Sequence, residues 1–437
     1  MAYSRRVVVT GCGVISPLGN SVQELIGGLR EGRTGIATFE RIPVDALPVS
    51  FGGEARDFQE NIEDFGTLEP AVKKQIRKGL KVMCREIKMG VAAAQRGLVD
   101  SGLDLAAEDH ERIGVLFGSD YIATMPDEFI DPIRQCVTDG SFDFEQWAES
   151  GLPKVTPLWL LKYLPNMPAC HVAIYNDLRG ASNSITMREA SSNLAVAEAT
   201  TTIARGMADV IVAGATGCRI HPLRSVHTVL QETLAAGVSD PADACRPFDR
   251  DRQGSVLGEG AAVVILESLD HAQQRGATII GEILGHGSSA VMDQHFVPLP
   301  EKALVNAMRQ SIALAGVEPG DVGHVHAHGL GTKDADVAEA SAIRTVFSGR
   351  DSDVPVVAAK GSFGNLGACS GLVELIASLH ALNDGTLFPA RNYQHPDDAC
   401  SINVVTSDSI DAGSTVLNLS ATPQGQASVI LAGRFAA

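Results

Sequence analysis

The chain has 437 residues, 45% of them hydrophobic, enough to bury a large core over two or three domains. Its formal net charge of −17 argues against nucleic acid as a partner, because phosphate binding needs a concentrated cationic surface. The eight cysteines (Cys12, Cys84, Cys136, Cys170, Cys218, Cys245, Cys369 and Cys400) show no CxxC or metal-ligand spacing and read as buried free thiols of a reducing cytoplasm. The opening residues lack the apolar stretch of a signal peptide or a membrane span, so a cytoplasmic location is expected.

Aromatic residues make up only 5%, so Ala, Val, Ile and Leu must build the core, as suits closely packed helix and sheet layers. The β-branched run Arg6–Thr10 predicts a strand ending in a Gly-Cys-Gly turn, and residues 71–100 predict a helix with alternating basic and apolar positions. Strands follow at 112–118 and 208–213, separated by an alanine-rich helix over 189–205. Strands at 261–267 and 278–284 flank a short helix, His271–Arg275. Beyond them come a helix at 302–316, a strand at 322–327, a helix at 372–383 and apolar strands at 415–419 and 427–432. Strands alternating with helices predict an α/β protein with a mainly parallel or mixed sheet. A composition change near residue 268 divides the chain into halves, 1–267 and 268–437. The proline-rich segment 119–168 is expected to cap the site.

Four stretches, in order along the chain, resemble the β-ketoacyl-acyl-carrier-protein synthase II family. They are Val7–Gly19, Arg246–Gly260 (RPFDRDRQGSVLGEG), His328-Gly-Leu-Gly-Thr332 with Asp336, and Lys360 with Gly364, Gly371 and Glu374. The resemblance implies the thiolase fold, a five-layered αβαβα sandwich of two pseudo-duplicated halves, normally dimeric. It implies acyl carrier protein as a partner and no cofactor or metal. In that family a cysteine at a buried helix N-terminus takes the acyl chain, and two histidines help to decarboxylate malonyl carrier protein.

This chain departs from the pattern. Gly180–Ser192 aligns with the nucleophile loop and puts Glu189 where the cysteine belongs. His328 stands at the first histidine, Asn365 at the second, and Lys360 and Glu374 are expected to form the family's buried ion pair. Thr422 replaces the phenylalanine that gates the acyl pocket. Glu189 reads either as a carboxylate held by the helix N-terminus and paired with His328 or Lys360, or as a general base in altered chemistry. Ser191 and Ser192 read as ordinary helix residues and Cys369 as packing.

Of the basic residues Lys73, Lys74, Arg77, Lys78, Lys81, Arg85 and Lys88, all but Lys73 fall largely on one helix face. Arg77, Lys78 and Lys81 match positions that contact the carrier in similar synthases, so they are expected to dock the acidic carrier protein. The resemblance and its departures imply a non-elongating, chain-length-factor-like binding subunit, as a homodimer or as a heterodimer with a cysteine-bearing synthase. The alternatives are an acyltransferase or hydrolase using Glu189 and His328, and elongation through an unrecognised thiol.

Overall fold

A computed structural model describes residues 5–47 and 49–436. Its sheet strands repeat one plan twice. The first five are β1 (Val7–Ile15), β2 (Ile113–Ser119), β3 (Ser182–Thr186), β4 (Val210–Cys218) and β5 (Glu259–Ser268). The second five are β6 (Gly281–Ala290), β7 (His324–His326), β8 (Pro355–Val357), β9 (Thr415–Ala421) and β10 (Gln426–Gly433). Their spatial orders, β3-β2-β4-β5-β1 and β8-β7-β9-β10-β6, match strand for strand. In each set the first three are parallel and the last two antiparallel. The sets meet where β1 pairs with β6, and a two-residue strand, Asn403–Val404, extends the far edge beyond β8.

The helices that concern the site are α1 (Pro70–Gly79), α2 (Arg85–Ser101), α3 (Ser191–Ala204), α4 (Pro222–Gln231), α5 (Pro300–Ala315), α6 (Lys333–Phe347) and α7 (Ser370–Asp384). α3 and α7 pack on each other and touch strands of both sets, while α2 covers β1, β4 and β5 and the α5–α6 pair covers β6 and β10. The layers thus run α2, first strand set, α3 with α7, second strand set, α5 with α6. Burial explains the composition of the middle layer. α7 hides twelve of its fifteen residues, so its apolar surface runs all round rather than along one stripe. Small residues permit the close approach: a Cβ on Gly13 would stand 2.0 Å from the Ala93 carbonyl oxygen of α2.

The helix expected over 71–100 is two helices. The chain straightens at Met83 and Cys84 between α1 and α2, which turns Arg85 inward onto Glu259 (2.7 Å) and Glu60 (3.1 Å). Lys88 is held by Glu60 at 2.7 Å. Arg85 and Lys88 therefore do not belong to the exposed basic face, which is reduced to Lys74, Arg77, Lys78 and Lys81. Two elements were not expected from the sequence. β3 reads Ser-Asn-Ser-Ile-Thr, and α4 buries polar residues. Among the described residues no helix is long and apolar enough to cross a membrane, and all eight cysteines are free thiols.

Candidate functional site

The site lies where β3 hands the chain to α3. Between them, residues Arg188–Ala190 form a tight turn, and Arg188 takes a left-handed φ of 52°. A non-glycine residue pays roughly 1 kcal/mol for that conformation, so something must hold it. What holds it is charge. The Arg188 guanidinium pairs with Glu232, just past α4, and its Nε lies 3.4 Å from Oε2 of Glu189.

Glu189 is 1% exposed. Its Oε1 lies 3.0 Å from Nη2 of Arg219 and accepts a hydrogen bond of 3.2 Å from Nδ2 of Asn365. Arg219, equally buried, also donates to both oxygens of Glu232, at 2.7 and 3.1 Å. Two carboxylates and two guanidiniums thus form one closed, neutral cluster. Burial alone would push the Glu189 carboxyl upward, but Arg219 and then Arg188 outweigh it and hold the group well below the usual carboxylate range. The expected pairing with His328 or Lys360 is not what forms: Glu189 is fastened by Arg219 and Arg188, and Lys360 is committed elsewhere.

That commitment sets the state of His328. Nζ of Lys360 donates to Glu374 at 2.6 Å and to the His328 carbonyl at 2.5 Å, and it lies 3.3 Å from Nδ1 of the His328 ring. An ammonium has only protons to offer, so Nδ1 must present its lone pair and the ring proton sits on Nε2. Burial, and secondarily Lys360, hold the imidazole neutral, with its pKa well below the ordinary value. His328 can donate a hydrogen bond from Nε2 and has no basic nitrogen left for proton abstraction. Its turn is pinned from α6: Glu339 accepts from the backbone N–H groups of His328 (2.6 Å) and Gly329 (2.8 Å), and Asp336 accepts from Gly331 (3.0 Å) and Phe248 (2.7 Å).

Asn365 is also fixed. Its Oδ1 accepts from the Gly367 N–H (3.0 Å) and from the Ser370 hydroxyl (3.2 Å), which leaves the amide nitrogen aimed at Glu189. Thr422 sits in a tight turn between β9 and β10, its hydroxyl donating to Gln426 at 2.7 Å. A cleft of about 400 Å³ opens beside it, lined by Glu232, His328, Leu330, Thr332 and Thr422 among others. Glu189 and Arg219 do not line it; the cleft stops at Glu232 and His328.

Arg77, Lys78 and Lys81 stand apart from this cleft, exposed, with no ion-pair partner among the described residues. Ser191 caps the turn, accepting from the Met187 N–H at 2.7 Å and donating to the Ser119 carbonyl. Cys369 is buried, and burial pushes its thiol well above the ordinary value, so it supplies no thiolate. Sequence reading missed Arg188, Arg219, Glu232 and Glu339. The signal for the clamp was faint: an arginine at 219 in an otherwise uncharged stretch beyond the strand expected at 208–213.

Removing Arg219 leaves Glu189 buried with one cation at longer range, so Arg219→Ala is expected to cost about 3–5 kcal/mol at neutral pH. The folded carboxyl titrates below its unfolded value of 4.5, so its stabilisation is fully present above that pH and is lost as pH falls through the lowered value. Urea unfolding of both proteins across the acid range checks this: the gap between them should narrow on acidification, and a gap independent of pH would contradict it.

The domain profile described as β-ketoacyl synthase, N-terminal domain, matches residues 4–272, and that of the C-terminal domain matches 280–394. A 3-oxoacyl-[acyl-carrier-protein] synthase 2 of Coxiella burnetii is 31% identical over 405 residues, covering 92% of each chain. Among solved structures, the ishigamide ketosynthase/chain length factor superposes with a TM-score of 0.83 at 26% identity, covering 99% of this chain and 100% of the other. A β-ketoacyl synthase from Burkholderia phymatum STM815 gives 0.82 at 26% identity with the same coverage. With the thiolase-type layering and the Lys360–Glu374–His328 arrangement already in place, the chain belongs to the β-ketoacyl synthase family.

Proposed function

We propose that this protein is a non-elongating β-ketoacyl synthase homologue of fatty-acid or polyketide biosynthesis. It serves in the cytoplasm as a chain-length-factor-like subunit beside a cysteine-bearing synthase and helps to receive acyl carrier protein. The observation that carries this reading is the clamped carboxylate at the nucleophile position. A nucleophile must present a reactive, accessible atom to a thioester. Glu189 offers a buried oxygen already engaged by a guanidinium and an amide, behind the wall of the cleft. An acyl anhydride formed there would also hydrolyse readily. The likeness to a ketosynthase/chain length factor supports the subunit role.

The reading as a hydrolase or acyltransferase would need Glu189 or His328 as a base. The lowered carboxyl pKa and the Lys360 ammonium facing Nδ1 both weigh against it. Decarboxylation is disfavoured as well, because an enolate beside Glu189 would meet like charge. What the cleft retains is a hydrogen-bond donor, His328 Nε2–H, suited to holding a carbonyl without transforming it.

Incubation with acyl- and malonyl-carrier thioesters followed by intact-mass measurement tests the proposal. No covalent acyl adduct and no free ketoacyl product are expected, whereas one acyl group mapped to Glu189, Ser192 or a cysteine would overturn it. Glu189→Cys alone should not restore elongation. With Asn365 in place of a proton-transferring histidine, turnover should remain at least about 100-fold below that of a cysteine-bearing relative.

Docking of the carrier is assigned to Arg77, Lys78 and Lys81, whose free cations stand out on a chain of net charge −17. Reversing all three to glutamate should weaken carrier binding at least about tenfold and flatten its dependence on salt. Surface plasmon resonance at two ionic strengths measures both. Unchanged affinity and slope would move the docking site elsewhere.

A further inference from the structure

A second pocket, of about 410 Å³, opens where the N-terminal ends of α2 and α4 meet the end of β4. It shares no lining residue with the His328 cleft. The segment 119–168 lends it Ile122, Met125 and Lys162 and lends the cleft nothing. Its apolar wall comes from Met83, Ile122, Met125 and Ile220. Its polar end comes from α4, which is built inside out. That helix buries Arg224, Ser225 and Thr228 and turns an apolar stripe, Leu223, Val226, Val229 and Leu230, outward.

Two buried side chains on the lining present a polar atom with no partner. His221, the N-cap of α4, is 8% exposed. Its Nδ1 accepts from the Leu223 N–H at 3.1 Å, so the proton of the neutral ring sits on Nε2. Burial, with Arg224 adding to it, lowers the ring pKa to about 4 and keeps it neutral. That Nε2–H makes no hydrogen bond, since the Ala123 carbonyl near it lacks the geometry for one. Glu86 is 3% exposed, and Nη1 of Arg224 donates to its Oε2 at 3.4 Å. Its Oε1 makes no hydrogen bond, and Arg224 is drawn more closely to Asp120. Burial outweighs Arg224 and pushes the Glu86 carboxyl up to about 8, so Oε1 carries a proton at neutral pH. Both atoms are therefore donors without an acceptor, a costly state for buried groups. The rest of the lining is rich in cations. Arg41, Arg85 and Lys88 all draw on Glu60, with Glu259 helping at Arg85, and Lys81 has no ion-pair partner among the described residues.

We propose that this pocket binds a small organic acid, its carboxylate accepting from His221 and Glu86 beside Arg224 and its hydrocarbon body lying against Met83, Ile122, Met125 and Ile220. The inference goes beyond the subunit reading above and does not depend on it. Two free donors call for a ligand with two acceptor oxygens, and a carboxylate has them. The surplus of cations selects an anion over a neutral amide or an amine. The apolar wall selects a hydrocarbon body over a bare inorganic ion, and the volume falls in the usual range for small-molecule sites, about 300–1,000 Å³. A carboxyl that holds its proton can stand beside a carboxylate, where two ionised groups would repel.

The test is titration of the full chain with carboxyl-labelled octanoate, followed by carbon NMR and by calorimetry. Octanoate should bind saturably at a single site, whereas octanol, octylamine and inorganic phosphate should bind at least about tenfold more weakly. His221→Phe should weaken octanoate binding at least about tenfold while keeping the wild-type circular dichroism spectrum and melting temperature. Wild-type affinity should fall at least about threefold between about pH 7 and pH 9, as Glu86 loses its proton. Glu86→Gln, which retains a donor, should bind octanoate with no such fall. The titratable and charged groups around Glu86 are Arg224, Asp120, Glu259, Cys84, Cys218 and Cys369. All of them remain in Glu86→Gln, so the lost pH dependence reports on Glu86 itself. Octanoate binding that ignores both substitutions would overturn the assigned site. Tighter binding of octylamine or of phosphate would overturn the ligand class, and no saturable binding of octanoate would overturn the proposal.

Discussion

A carboxylate buried at the mouth of a helix cannot stay charged without a cation, and the pairing of Glu189 with Arg219 meets that need. Much of the surrounding structure follows from it. Arg219 must itself be balanced, which brings in Glu232; Glu232 draws Arg188 into a left-handed conformation; and Asn365 closes the cluster with a neutral donor. Each charge is balanced by another in the cluster, although Oε2 of Glu189 and Nε of Arg219 accept or donate no hydrogen bond, so replacing one charge leaves an unpaired neighbour in a medium that screens poorly. The cluster sits in the turn by which β3 hands the chain to α3.

A second network lies beside the clamp. Lys360 still bridges Glu374 and His328, and α6 still pins the His328 turn through Glu339 and Asp336. These groups hold an imidazole as a neutral donor. On the proposed reading such a donor would hold a carbonyl with no nucleophile beside it. A cleft that can hold a carbonyl without reacting with it is consistent with a subunit that shapes or receives an acyl chain made next door.

Much of this was legible in the sequence, and the failures have physical causes. The apolar runs around 6–10, 208–213 and 427–432 read directly as strands, but the turn expected at Gly11–Gly13 does not form: β1 runs on through it to Ile15, and β4 runs on to Cys218. The polar strand at 182–186 escaped notice because it is a sheet edge with most of its residues exposed, so no alternation marks it. Residues 71–100 read as one helix because their periodicity runs through a break that only packing imposes. Glu189 was located by its place in the nucleophile loop, but its partners were not. Charge pairs between residues 13 to 44 positions apart have no local signature, and Arg219 and Glu232 lie in segments whose pattern is dominated by apolar neighbours. The reversed polarity of α4 was hidden for the same reason, since hydrophobic periodicity gives the stripe without saying which way it faces.

The central claim is that Glu189 is an ionised, clamped carboxylate at all working pH values. It is tested most directly by carboxyl carbon NMR of the protein labelled at glutamate, with the Glu189 resonance assigned by its loss in Glu189→Gln. The account predicts an ionised shift still at about pH 4, where ordinary glutamates are already more than half protonated, and no change when an acyl-carrier thioester is added. A resonance that titrates at or above the ordinary glutamate value, or that moves on adding the thioester, would contradict it and return Glu189 to the candidates for a working acid or base.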